Sequence, residues 1–186
     1  MKPVSLPLLV LFFIVSCSGL PRLNPVDPSL LPVIRNKCTT HFPKGNWRFV
    51  HSIETTMPNG QKSLVIAVSL IFPATKTIQS VIMTVEGLVI FDAHHDQNGL
   101  TIHRAIPPFD SKKFARGLMK DVELMFFEPD GRLIEVGAQN GDIDVCRYRD
   151  RNQTGSIVDV VVRNNHSWSI RQYSENNSLM RRIDTY

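Results

Sequence analysis

The sequence predicts a mainly β protein: about ten short antiparallel strands in a meander, with one amphipathic helix inserted midway. Three observations carry this expectation. From Trp47 onward, short apolar-rich runs alternate with turn dipeptides at nearly regular spacing, the pattern of a barrel or sandwich. One segment, 110–126, has helical rather than strand periodicity. The chain has 186 residues, 42% hydrophobic and 20% charged, which suits one domain with a real core.

The elements follow in order. Leu6–Val15 is almost wholly apolar behind Lys2, too short to span a bilayer but suited to the hydrophobic region of a signal peptide. Residues 1–16 are therefore read as a signal peptide and the chain as exported. Residues 17–46 carry four prolines between Ser18 and Lys37 and read as a tether, with a short helix around Pro28–Arg35. The folded domain is 47–186. Trp47–Ile53 alternates, then passes through Asn59-Gly60, a strong hairpin signal, into Ser63–Phe72. This second run, SLVIAVSLIF, is apolar on both faces and predicts a central strand covered on both sides. Strands follow at Ile78–Val85 and Leu88–Ala93 around Glu86-Gly87, and at Gly99–Ile106. Later come Leu133–Gly137, Ile143–Arg149, Ser156–Val162, Trp168–Ser174 and Leu179–Thr185, separated by turns such as Asp130-Gly131, Asn140-Gly141 and Asn176-Asn177.

The helix lies after Pro107-Pro108. Phe114, Leu118, Val122 and Phe126 recur at steps of four with Met119 and Met125 beside them, while Lys112, Lys113, Arg116, Lys120 and Glu123 take the other side. Asp110 or Ser111 caps its first turn. Gly117 costs it about 1 kcal/mol relative to alanine, unless the glycine permits a close approach to the sheet. Burying the apolar face in the concavity of a curved sheet is the simplest arrangement.

The cysteines carry the next inference. Ile14-Val15-Ser16-Cys17 directly follows the hydrophobic run and resembles the bacterial lipobox, in which the cysteine is acylated and becomes the mature N-terminus. Acyl chains contribute about 0.8 kcal/mol per buried CH₂, and several chains anchor stably. A plain signal peptide with an incidental cysteine is the alternative. Three cysteines are an odd number for an exported chain; with Cys17 lipidated, Cys38 and Cys146 remain as an even pair in an oxidising compartment. A Cys38–Cys146 disulfide is expected, with two buried free thiols as the alternative. Sequons at Asn152, Asn165 and Asn176 keep a secreted eukaryotic glycoprotein open, but the lipobox counts more heavily.

A lipobox, a proline-rich tether and a meander opening on GNWRFVHSIE resemble the LolB/LolA class of Gram-negative envelope proteins. VIMTVEGLVIFDA, followed by RAIPPFD and a helix, resembles in particular a LolB-like lipoprotein family of unknown function. The resemblance runs from about Trp47 to the end. It implies an incomplete antiparallel half-barrel whose concave side, covered by helix, forms a hydrophobic cavity. It also implies a periplasmic protein lipid-anchored at the outer membrane, a hydrophobic ligand such as a lipoprotein acyl chain, and a role in lipoprotein or lipid transfer. Binding of this kind is driven by buried apolar area and needs no catalysis. Ser18 in place of an inner-membrane retention aspartate favours the outer membrane. Phe72–Ile78 is the best candidate for a protruding receptor loop.

The expected cavity lining is Trp47, Phe49, Leu64, Ile66, Val68, Leu70, Met83 and Phe91, with Phe114, Leu118, Val122 and Phe126 from the helix; a dry packed core of the same residues is the alternative. Arg147, Arg149 and Arg151 alternate in CRYRDR, which predicts a basic strand face for anionic headgroups or a periplasmic protein partner, or simply a solvated face. A structural or interaction lipoprotein with a solid core and that docking face is thus the rival function. His94-His95-Asp96 with His103 does not predict a metal site, because adjacent histidines on a strand point to opposite faces. There is no G-x-S-x-G, H-E-x-x-H, phosphate loop or convincing carboxylate pair, so neither an enzyme nor a cofactor is expected, and export excludes nucleic acid.

Overall fold

The structure, a computed structural model, describes residues 19–56, 60, 62–151, 155–164 and 167–185. Residues 1–16, expected to be a signal peptide, lie outside those residues, as do Cys17 and the sequon asparagines at 152 and 165. A 3₁₀ turn (Pro28–Leu30) leads into α1 (Leu31–Thr40). Then come β1 (Trp47–Thr56), β2 (Lys62–Phe72), β3 (Thr77–Thr84), β4 (Val89–Asp96) and β5 (Gly99–Ala105). After α2 (Lys112–Phe126) follow β6 (Gly131–Gln139), β7 (Ile143–Asp150), β8 (Ile157–Val162), β9 (Trp168–Tyr173) and β10 (Leu179–Thr185). The ten strands expected from alternation and turn spacing are present, within a residue or two at most ends. At the β6–β7 turn, Asn140 and Gly141 both take positive φ, 51° and 93°, as that dipeptide favours.

The strands form two antiparallel meanders rather than one. The first sheet runs β1-β2-β3-β4-β5 and the second β10-β9-β8-β7-β6, with no pairing between β5 and β6 among the described residues. Pro107 and Pro108 provide no N–H for a ladder, so β5 stops and the chain leaves the sheet. Ser111 then caps α2, its hydroxyl accepting from the Phe114 N–H at 3.0 Å.

Helix α2 packs on the first sheet. Its deepest residues are Ala115, Met119 and Val122, with Phe114, Leu118 and Phe126 half-buried beside them. The expected line of Phe114, Leu118, Val122 and Phe126 drifts because a step of four overshoots the helical turn by about 40°. The alternating step of four and three follows the face. Leu124 points to the second cluster, among Tyr148, Val158 and Val160, so α2 contributes to both cores. Nothing lies within 4 Å of a Cβ added at Gly117, so this glycine does not serve a close approach to the sheet.

The sheet face under α2 is the opposite of the one expected from β2. Val65, Ala67, Ser69 and Ile71 are buried, continued across β3 by Ile78, Ser80 and Ile82. Ser69 and Ser80 share a hydrogen bond of 3.2 Å, which satisfies the two hydroxyls placed there. Leu64, Ile66, Val68 and Leu70 therefore lie on the outer face, with Met83 opposite Ile66 on β3. Leu64 is 53% exposed and Val50, on the same face of β1, is 63% exposed. Strand β2 is apolar on both faces, so alternation alone could not choose between them.

The second sheet carries the other core. Cys146, Tyr148, Val158, Val160 and Ile170 meet Ile34, Cys38 and Phe42 of α1 and its following turn. Cys38 and Cys146 form a disulfide with Cα atoms 6.3 Å apart. The proline-rich segment is therefore no free tether from Pro21 on. Asn24 exchanges backbone hydrogen bonds of 2.8 and 2.9 Å with Ala138. A Cβ at Gly137 would fall 2.7 Å from the Asn24 carbonyl oxygen, so glycine lets that segment lie on β6.

Candidate functional site

At the C-terminal end of α2 the two sheets leave an open cleft of about 630 Å³. One wall comes from β1 and α2. Trp47 stacks on Phe49 with ring centres 5.8 Å apart, and Phe49 stacks on Phe126 at 4.5 Å. Alternation along β1 puts Trp47 and Phe49 on one face, and the β1–β2 register sets Phe49 beside Ser69 on the α2 side. The other wall comes from Trp168, at the start of β9. His41 lies parallel to its indole at 5.6 Å, and Phe42 meets it edge-on, also at 5.6 Å. Both are preferred aromatic geometries.

Met125 and Pro43 complete the apolar lining. Lys44 is the cation there, and its carbonyl accepts the Trp47 indole N–H at 2.8 Å, leaving the ring 48% exposed. Burial lowers the His41 pKa below the ordinary imidazole value, so the cleft favours the neutral ring. No carboxylate lines the cleft. A second groove of about 330 Å³ shares Phe42, Pro43, Lys44 and Phe126 and extends toward Pro73 and Lys76. Such a site can shield an apolar group from water and present aromatic faces to it.

Of the expected lining residues, Trp47, Phe49 and Phe126 come together here. Phe91 and Val122 are buried in the core under α2, and Phe114 and Leu118 pack against it, Phe114 edge-on to Phe91 at 5.8 Å. The space beneath the helix is thus filled by side chains, and the open volume lies at its end. Leu64, Ile66, Val68, Leu70 and Met83 take no part. His41, Phe42, Lys44 and Trp168 also line the cleft, outside the set expected from sequence. The run HFPKGNW was a usable signal, because it places three aromatic or imidazole rings next to turn residues.

The three arginines of CRYRDR do not form the expected exposed basic face. Arg149 and Arg151 are exposed, but Arg147 is buried at 3% exposure. Its guanidinium bonds Asp159, Glu135 at 2.7 Å and the Pro21 carbonyl at 2.8 Å. His94 pairs with Asp96 at 3.4 Å, whereas the neighbouring His95 lines a cleft beside α2. Among the described residues, no group of three or more His, Cys, Asp or Glu side chains is arranged to hold a metal ion, and no helix is long and apolar enough to cross a membrane. Pro73–Thr75 forms a 3₁₀ turn, and the most exposed apolar tip of the first sheet is instead Val85 and Leu88, around Gly87.

Fold and cleft together define a two-sheet, all-antiparallel protein with an aromatic cleft open at the end of its central helix. Comparisons with family models, curated proteins and solved structures return no match.

Proposed function

We propose that this chain is a lipoprotein of the bacterial cell envelope, held at the periplasmic face of the outer membrane by an acylated Cys17. Its domain binds a hydrophobic ligand, an acyl chain of a lipoprotein or lipid, and takes part in its transfer without catalysis. In this reading the two sheets and α2 are the halves of a LolB-like half-barrel. The observation that carries it is the cleft at Trp47, Phe49, Phe126 and Trp168: five aromatic rings besides His41, no carboxylate, about 630 Å³ of open volume. Apolar burial at about 25 cal/mol per Å² makes such a surface favour an alkyl chain.

The test is titration of the protein bearing Cys17→Ala with a fluorescent fatty acid, read also by the indoles of Trp47 and Trp168. Saturable binding that falls about tenfold in Phe126→Asp supports the reading, since losing one large apolar contact is worth roughly that factor. Absence of saturable uptake overturns it. Membrane fractionation of the chain with and without Cys17→Ala checks the anchor.

The filled space beneath α2 favours a second reading, a structural or interaction lipoprotein with a solid core. It predicts no uptake of any apolar probe, and a partner sensitive to charge reversal at the exposed Arg149 and Arg151.

A further inference from the structure

Alongside α2, away from the aromatic cleft and sharing no lining residue with it, lies a second cleft of about 780 Å³. Its charge is one-sided. Lys112, Lys113, Arg116 and Lys120 from α2 and Arg181 from β10 line it, against the single carboxylate of Glu123. Two of these cations are answered within the fold, Lys120 by Glu123 at 3.0 Å and Arg181 by Asp121. Lys112, Lys113 and Arg116 have no ion pair among the described residues.

This distribution works against the helix that carries it. Lys112, Arg116 and Lys120 recur at steps of four, which stacks like charges on one face. Lys112 and Lys113 also open the first turn, where the helix dipole favours carboxylates and α2 has none. Solubility asks for charge on the surface but not for its collection in a concavity. A sequence that breaks local rules together at one place marks function more often than accident.

The cleft is shaped to receive what those charges attract. A concave surface of one sign concentrates counter-charge at its floor. Gly117 lies in the lining with open space where a Cβ would stand, so no side chain from this position narrows the cleft, and Arg181 reaches its carbonyl at 3.5 Å. His95, on the first-sheet wall, has a buried Nδ1 without a hydrogen-bond partner among the described residues. Met119 and Leu100 supply an apolar portion of the same lining.

We infer that this cleft binds a phosphoryl group, with Arg116 and Lys113 as the principal contacts. The planar guanidinium suits a phosphate in a two-point grip, and the lysine ammonium adds charge beside it. The phosphoryl group belongs either to a lipid headgroup or to a soluble phosphate compound, and the site does not depend on what fills the aromatic cleft.

The experiment uses the purified chain and two probes. Inorganic phosphate is titrated while the Gly117 amide and the His95 ring are followed by NMR. Separately, co-sedimentation is measured with phosphatidylcholine vesicles, with and without phosphatidylglycerol. The variants are the pair Lys113→Gln with Arg116→Gln, and as a control Lys62→Gln, which removes an exposed charge from β2 on the outer face of the first sheet. Both cleft residues are exposed, so the fold tolerates their change, and circular dichroism verifies it. The expected result is saturable binding in at least one arm, weakened about tenfold or more in the pair and unchanged in Lys62→Gln, as losing charged hydrogen bonds requires. Variant-sensitive sedimentation confined to the anionic vesicles identifies a lipid headgroup; a response to phosphate alone identifies a soluble ligand. No saturable response in either arm, or equal weakening by Lys62→Gln, overturns the inference.

Discussion

Arg147 on β7 grips Asp159 on β8 through two hydrogen bonds, Nε to Oδ1 at 2.8 Å and Nη2 to Oδ2 at 2.9 Å, with side chains only 4% and 1% exposed. The two residues are direct cross-strand partners, and Glu135 on β6 continues the row. Burial raises the Asp159 pKa, and the guanidinium pulls against that rise. Burial likewise acts to lower the Arg147 pKa, but Asp159 and Glu135 hold it above its ordinary value, so the cation persists. Because Arg147 also bonds the Pro21 carbonyl, the network fastens the N-terminal segment to the second sheet. Arg147→Met strips both guanidinium bonds from the buried Asp159 carboxylate, leaving Arg171 on β9 as its nearby cation, and lowers stability by about 3 kcal/mol, read by urea unfolding. Replacing both partners with apolar residues recovers much of the loss. A single variant as stable as the parent would mean that the pair is not buried.

Neighbouring residues on β2 test which face is core. Ile71 is fully buried under α2, whereas Leu70 is on the outer face. Ile71→Ala lowers stability by about 2–5 kcal/mol, the cost of a buried large-to-small change. Leu70→Ala lowers it by about 1 kcal/mol or less, as for a partly exposed site. Chemical denaturation of the two variants side by side decides it, and the reverse order would put α2 on the other face.

The Cys38–Cys146 disulfide closes a loop with a sequence separation of 108. Its removal by a double serine substitution lowers stability by about 2–4 kcal/mol, mainly by freeing the unfolded chain. Hydrogen exchange localises the effect: α1 loses protection before the strands of the first sheet do. Unchanged exchange in α1 would show that its apolar contacts alone hold it.

Gly117→Ala raises stability by about 0.5–1 kcal/mol, because alanine is the better helix former and its methyl group meets open space. The thermal midpoint rises accordingly. A fall would reveal a neighbour at that position.

His41 yields a pH dependence of definite sign. Burial depresses its pKa below 6.5, so the unfolded chain takes up the proton more readily than the folded one. Its contribution is complete above that unfolded-state value and is lost as pH falls from there through the lower folded-state value. His51 shifts in the same direction through partial desolvation, although its side chain is solvent-exposed and its effect is correspondingly smaller, so the two are separated by variants. Unfolding curves across about pH 5–8 become flatter with His41→Phe, and further with His51→Asn added. An unaltered profile would show that His41 titrates as in water.

Much of this architecture was legible from particular residues. Turn dipeptides such as Asn140-Gly141 mark hairpin ends through local backbone preference, and the strands between them follow. Ser111 and the apolar stripe of 114–126 announce a helix by periodicity alone. The pairing of Cys38 with Cys146 was one of two expectations, and the fold decided it against free thiols by setting their Cα atoms 6.3 Å apart. The aromatic cleft was half legible: Trp47, Phe49 and Phe126 lie on elements whose patterns could be read.

The remainder lay beyond local information. Strand β2 carries apolar residues at both parities, and only the docking of α2 chose Val65, Ala67 and Ile71 as core. Arg147 resembles its neighbours Arg149 and Arg151 in sequence, yet cross-strand register sets it on Asp159 and buries it. Trp168 reaches His41 and Phe42 only because the second sheet carries it there. The sequence by itself determined the elements, their order and the helix's charged face, since these depend on neighbours along the chain. Tertiary structure decided the faces, the split into two sheets and the two clefts, since these depend on contacts between residues far apart.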